Sequence, residues 1–98
     1  MSNSKRIPVI VCGGENGRAV VYGYVAKMPE VGQPVEIHNA RMVLYWPATC
    51  GGIFGLATNG PKNETRITSV VAVVKDTCRQ VLSVTNAASK LFDEWPNA

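Results

Sequence analysis

Residues 39–66 read Asn39-Ala-Arg-Met-Val-Leu-Tyr-Trp-Pro-Ala-Thr-Cys-Gly-Gly-Ile-Phe-Gly-Leu-Ala-Thr-Asn-Gly-Pro-Lys-Asn-Glu-Thr-Arg66, and whether this block is strand or helix decides the fold. Met42, Leu44 and Trp46 alternate with Arg41, Val43 and Tyr45, so the first part reads as a strand with Met42, Leu44 and Trp46 turned to the core. Pro47 ends that strand or marks an edge, because it has no N–H for a ladder. The short apolar Gly52–Thr58 run is expected to be a second strand, paired to the first across the 48–51 turn. A further turn follows at Asn59-Gly60-Pro61-Lys62.

Working outward, Ile7–Cys12 is β-branched and stops at Gly13-Gly14-Glu15-Asn16-Gly17. Arg18–Ala26 (RAVVYGYVA) carries apolar residues on both faces and reads as a strand covered on both sides, and the two runs together read as a hairpin. Gly23 marks a bulge or a close backbone approach. The glycine cluster at 13–17 lacks the GxxxxGK[ST] order, and a strand rather than a helix follows it, so it reads as a turn and not a phosphate cradle. Val35–Asn39 alternates with Val35 and Ile37 on one side. Thr65–Val74 is a further strand, Lys75-Asp76-Thr77 a turn, and Arg79–Val84 another strand. Only the tail reads as helical. Thr85 is its N-cap, Ala88, Leu91 and Trp95 its apolar stripe, and Pro96 its stop, giving a helix over 86–95. Asp93 and Glu94 read as helix-surface acids, with Lys90 and Glu94 one turn apart.

The expected architecture is mainly β: a small antiparallel barrel or sandwich of about six or seven short strands with one C-terminal helix. The whole of 1–98 reads as one domain, with 1–5 a loose leader. Apolar residues make up 46% and charged residues 17%, a composition that argues against disorder. A formal net charge of +3 is mildly basic, and no Lys/Arg run exceeds Lys5-Arg6, so a nucleic-acid partner is not expected. No stretch approaches the ~20 apolar residues of a membrane span, and Ile7–Cys12 is too short for a signal-peptide core. Three widely spaced cysteines without a CxxC pair argue against a disulfide scaffold and a structural zinc site, and for reduced thiols in a cytosol.

No paired acid and base, nucleophile triad, metal cluster or cofactor motif accompanies the central block, so no catalytic residue, metal or cofactor is assigned. Cys50 lies in a glycine-rich turn, but the single histidine, His38, is on another strand, and a Cys–His pair requires the two to meet. The block instead concentrates aromatic, glycine and basic residues. Arg41, Tyr45, Thr58, Asn59, Lys62 and Arg66 are the expected contacts for a small anionic, nucleotide-like ligand, and Gly51 and Gly52 permit close backbone approach. Gly-Gly and Asn-Gly-Pro are equally ordinary turn chemistry, and Tyr45 can line a ligand or a subunit surface. A chain this small does not easily enclose a nucleotide alone, so a homo-oligomer is expected to build the pocket between subunits.

The positions Asn39-Ala40-Arg41, Tyr45-Trp46, Phe54-Gly55-Leu56-Ala57 and Gly60-Pro61, with Arg66 after the turn, resemble a pattern in small accessory proteins encoded by tailed bacteriophages, usually classed as a domain of unknown function. The resemblance covers the central third of the chain and fades before Val35 and after Val74. It implies a phage product acting in the cytoplasm of the bacterial host and brings no catalytic motif. Phage proteins of this kind are often counter-defence factors, and one such class oligomerises and sequesters nucleotide second messengers of bacterial immunity. The alternative is a protein that inhibits a host enzyme by strand addition or an aromatic patch.

Overall fold

Ile7–Gly13 (β1) and Ala19–Val25 (β2) form an antiparallel hairpin in unbroken register, from Ile7 opposite Val25 to Gly13 opposite Ala19. Gly14 and Gly17 take φ of 77° and 67° to turn the chain between them, conformations that glycine adopts without strain. The computed structural model describes residues 6–98, and the leader read at 1–5 lies outside them. The remaining strands are Pro34–Tyr45 (β3), Arg66–Ile67 (β4), Val71–Thr77 (β5) and Gln80–Ser83 (β6), and two helices occupy Gly52–Asn59 (α1) and Asn86–Glu94 (α2). The chain is mainly β, one antiparallel sheet of six strands plus two helices.

The sheet runs β4-β3-β2-β1-β6, and β5 lies beside β4 along the same outer edge of β3. β5 and β6 are separated by only Cys78 and Arg79, yet β5 pairs with β3 and β6 with β1. One nearly continuous segment thus leaves one side of the sheet and joins the other, which forces the sheet to curl. At this corner the Gly14 amide donates to Asp76 Oδ1 at 3.1 Å, tying the end of β1 to the end of β5. β5 and β6 do not pair with each other, so the sheet is curled and not closed, and of the barrel or sandwich expected from the sequence the closed barrel is not shown. Lys75-Asp76-Thr77, read as a turn, is the last part of β5, and the turn comes after it.

β1 and β2 are buried on both faces, as the sequence indicates for β2. Val9, Val11, Val21, Val25, Val35, Ile37 and Ala40 pack inside the curl. Ile10, Cys12, Val20, Tyr22 and Val43 face the helices and meet Leu56, Ala57, Ala88 and Phe92. Phe92 stacks on Tyr22 with ring centroids 4.4 Å apart and planes 9° from parallel. Phe92, rather than Leu91, is the buried anchor of α2. The Thr85 N-cap is as expected, its hydroxyl accepting from the Ala88 amide at 3.1 Å.

Two readings of the central block are corrected. Val35–Asn39 and the following run are one strand with a bulge: Tyr22 sits opposite Arg41 and Tyr24 opposite His38, so β3 spends three residues where β2 spends two. Asn39, at φ 51°, is the extra residue. The bulge changes the face: Ala40 joins Val35 and Ile37 while Val43 turns to the helices, and Arg41 and Val43 are buried while Met42 and Leu44, expected in the core, are exposed. The second correction is Gly52–Thr58, which is helical. Gly51 and Gly52, at φ 83° and 70°, redirect the chain, and Ile53, Leu56 and Ala57 recur at i, i+3, i+4 to face the core. Gly55 is needed because a β-carbon there would lie 1.7 Å from the Cys50 carbonyl oxygen.

The bulge depends on Gly23. A β-carbon at that position would sit 2.4 Å from Ile37 Cγ2 and 2.9 Å from the His38 carbonyl oxygen. Gly23→Ala is expected to cost about 1–3 kcal/mol, as overpacking of a tight interior does. Urea unfolding measures this, and a midpoint equal to wild type would remove the close approach as a constraint.

Candidate functional site

The bulge carries Arg41 into the interior, where it is 2% exposed. Its Nε donates to the Thr68 carbonyl at 2.8 Å, one terminal nitrogen to the Phe92 carbonyl at 2.6 Å, and the other to Asn97 Oδ1 at 2.9 Å. Phe92 lies in the last turn of α2, whose carbonyls carry the negative end of the helix dipole, so the buried charge is met by oriented oxygens. Burial pushes the guanidinium below its ordinary value, and nearby Asp93 and Tyr22 oppose that shift. All three nitrogens are engaged internally. Arg41, expected among the ligand contacts, instead joins β3, the 68–69 loop and the end of α2.

Beside it is a polar group that sequence reading missed. Asp93 Oδ1 accepts from the Tyr22 hydroxyl at 2.8 Å and Oδ2 from the Tyr24 hydroxyl at 2.5 Å, so this acid fastens α2 to β2. The available signal was that Tyr22 and Tyr24, two apart on a strand, share a face. Burial is the main reason both phenols are pushed above the ordinary tyrosine value, with the hydrogen bonds to Asp93 adding to it.

The exposed residues of the expected site lie at the end of β3. Tyr45 and Arg66 are backbone partners across the β3–β4 pair, at a register irregularity after Val43, and both are exposed. The chain after Tyr45 makes a single 3-10 turn over Ala48–Cys50 and enters α1 at Gly51-Gly52. Lys62 reaches back to this turn, its Nζ donating to the Thr49 carbonyl at 3.2 Å. Thr65 ties the same region together. Its hydroxyl lies 3.6 Å from Cys50 Sγ and accepts from the Lys62 amide at 3.1 Å, and its carbonyl accepts from the Trp95 indole at 2.9 Å. Gly51 has no side chain to cap α1 and donates its own amide to the Ala48 carbonyl at 3.0 Å, while a β-carbon on Gly52 would meet nothing within 4 Å, so the open backbone is at Gly52. The arrangement offers two cations, one aromatic face and an uncapped helix start, a combination suited to a planar anionic group.

Thr58 and Asn59 lie at the other end of α1. The Thr58 hydroxyl donates to the Phe54 carbonyl at 3.0 Å, and its own carbonyl accepts from the Thr85 hydroxyl at 2.7 Å. They therefore belong to the helix junction, separated from Gly51 by the length of α1. Cys50 is buried on Thr65, while His38 Nε2 pairs with Glu36 Oε1 at 2.9 Å, so each has a partner other than the other. Among the described residues no three His, Cys, Asp or Glu side chains are grouped to hold a metal ion.

A family model described as a domain of unknown function, DUF6948, matches residues 6–92. The chain belongs to this family. No curated protein and no solved structure matches it. The DUF6948 match spans every strand and α2 as far as Phe92.

Arg41→Met is expected to destabilise the protein by about 3 kcal/mol or more, because it leaves several buried acceptors unpaired. Arg41→Lys should recover little, since one ammonium cannot reproduce the planar fork. Arg66→Ala should stay within about 0.5 kcal/mol of wild type. Urea midpoints rank the three, and equal values for Arg41→Met and Arg66→Ala would overturn the division of roles.

The two raised phenols give a pH dependence. The folded state retains protons that the unfolded chain releases, so their contribution is fully present below about pH 10, the ordinary phenol value, and falls as pH rises beyond it. Chemical unfolding followed from neutral to strongly alkaline pH should show a steeper decline in wild type than in Tyr24→Phe. Parallel curves would exclude this linkage.

Proposed function

We propose that this protein is a binding protein without catalytic chemistry, which holds a small anionic, nucleotide-like ligand against Tyr45, Lys62, Arg66 and the Gly51-Gly52 backbone. The observation that carries this reading is the Tyr45–Arg66 cross-strand pair, with the Lys62 ammonium anchored on the adjoining turn. Tyr45 supplies a stacking face, Arg66 a fork that matches phosphate geometry, and Lys62 a point charge. The Gly51 amide is taken by the Ala48 carbonyl, so the donors that favour negative charge are the first-turn amides of α1 from Gly52 onward.

The biological setting of the proposal comes from the resemblance of the Asn39–Arg66 block to phage accessory proteins. In the cytoplasm of an infected bacterium, such a protein would act as a sponge, lowering the free concentration of a nucleotide immune signal by binding it. Sequestration requires only affinity and abundance, which fits a site built from donors and an aromatic wall. A homo-oligomer would add surface around a shallow site that one chain presents openly.

Calorimetry of the folded protein against a panel of cyclic and ADP-ribose-derived nucleotides is the test. At least one should bind, with Arg66→Ala and Lys62→Ala each weakening it about tenfold or more, the loss expected for a charge-assisted hydrogen bond. Tyr45→Ala should cost a similar factor through lost stacking. No binding by any of the panel to the intact fold would sink the reading.

A further inference from the structure

The outer edge of β3 is lined by two strands that are finished differently. β4 is itself covered: Ile67 bridges Asn97, and its carbonyl accepts from the Ala98 amide at 2.8 Å. β5 has no such cover, and among the described residues β3 is its only strand partner. It is also the more apolar. Val70, Val71 and Val73 are between 41% and 55% exposed, and Met42 and Leu44 add exposed apolar surface on the neighbouring strand. Beside it lies a groove of about 270 Å³ lined by Ala40, Met42, Ser69, Val71 and Val74 among others. An uncovered apolar edge of this kind pairs with another strand unless something blocks it. The only fully charged obstacle is Lys75, since the Asp76 carboxylate is turned back to the Gly14 amide.

The backbone fixes the kind of occupant, because a row of free N–H and C=O groups is satisfied by an extended strand and not by a helix. The side chains fix which strand. Val70-Val71-Ala72-Val73-Val74 reads identically in both directions about Ala72. We propose that β5 pairs antiparallel with β5 of a second copy about a two-fold axis through Ala72, extending both sheets into one. In this register Val71 of each copy lies across from Val73 of the other and Val70 across from Val74, while the two small alanines meet at the axis. Each Lys75 faces Ser69, so no like charges oppose one another. Moving the axis by one residue to Val73 places Lys75 against Val71 and loses the valine matching. The contact is isologous and closes as a dimer, which removes the exposed edge in both copies.

This inference names the interface and goes beyond the ligand reading. It can fail independently, because Tyr45, Lys62 and Arg66 lie outside β5. Sedimentation equilibrium should show a dimer for wild type. Val71→Lys and Val73→Lys should each weaken it at least tenfold, with unchanged circular dichroism. Ala72→Cys should form a covalent dimer under mild oxidation, because only a residue on the axis meets its own counterpart, whereas Lys75→Cys should not. Cys12, Cys50 and Cys78 are buried and leave the readout clear. A monomeric wild type would overturn the proposal, as would assembly only with a different protein. So would a dimer that survives Val73→Lys while Ala72→Cys stays uncrosslinked.

Discussion

A buried guanidinium organises this fold. Arg41 reaches three parts of the chain remote from it in sequence, the Thr68 carbonyl, the Phe92 carbonyl and the Asn97 side chain, and has no carboxylate partner in direct contact. A charge taken out of water at that depth is tolerated only where its donors are met, and here the Phe92 carbonyl at the end of α2, the Thr68 carbonyl and the Asn97 side-chain oxygen meet them. The interaction is demanding in geometry. It requires that β3 present Arg41 inward, that α2 end at the right height, and that the tail turn back along β4. The Tyr22–Asp93 and Tyr24–Asp93 bonds and the Phe92–Tyr22 stack set that height from the other side. Stability and specificity of docking therefore reside in the same few residues.

The inward presentation of Arg41 follows from a single irregularity. Without the extra residue at Asn39, strict alternation would place Arg41 and Val43 on the face of Val35 and Ile37, away from the helices. The bulge exists because Gly23 on the neighbouring strand leaves room for it. Two residues on different strands thus decide which side chains form the core and which form the surface beside β5.

This also explains what could be read from sequence. The β1–β2 hairpin, the both-sided burial of β2 and the Thr85-capped helix were legible because each rests on local pattern and turn chemistry. Gly23 was recognisable as a bulge or close approach, but the phase change it permits was not, since the partner strand is distant in sequence. α1 was misread as a strand because Gly52–Thr58 is short and apolar, a case in which periodicity does not separate strand from helix. Of the site, the adjacency of Tyr45 and Arg66 depends on β4, two residues long, which no pattern reveals. Arg41 looked like a ligand contact for the same reason that it is central to the interior: an arginine beside aromatics suits either role.

The Thr85 hydroxyl has a role larger than that of a cap. It donates to the Thr58 carbonyl at 2.7 Å and accepts from the Ala88 amide at 3.1 Å, while the Thr85 amide donates to the Ala57 carbonyl at 3.0 Å. One side chain therefore closes the last turn of α1 and starts the first turn of α2. Neither helix has an independent terminus at this junction, and each is too short to persist alone in water. The pair forms a single opening unit, so a fluctuation that frees one frees the other and uncovers the same face of the sheet.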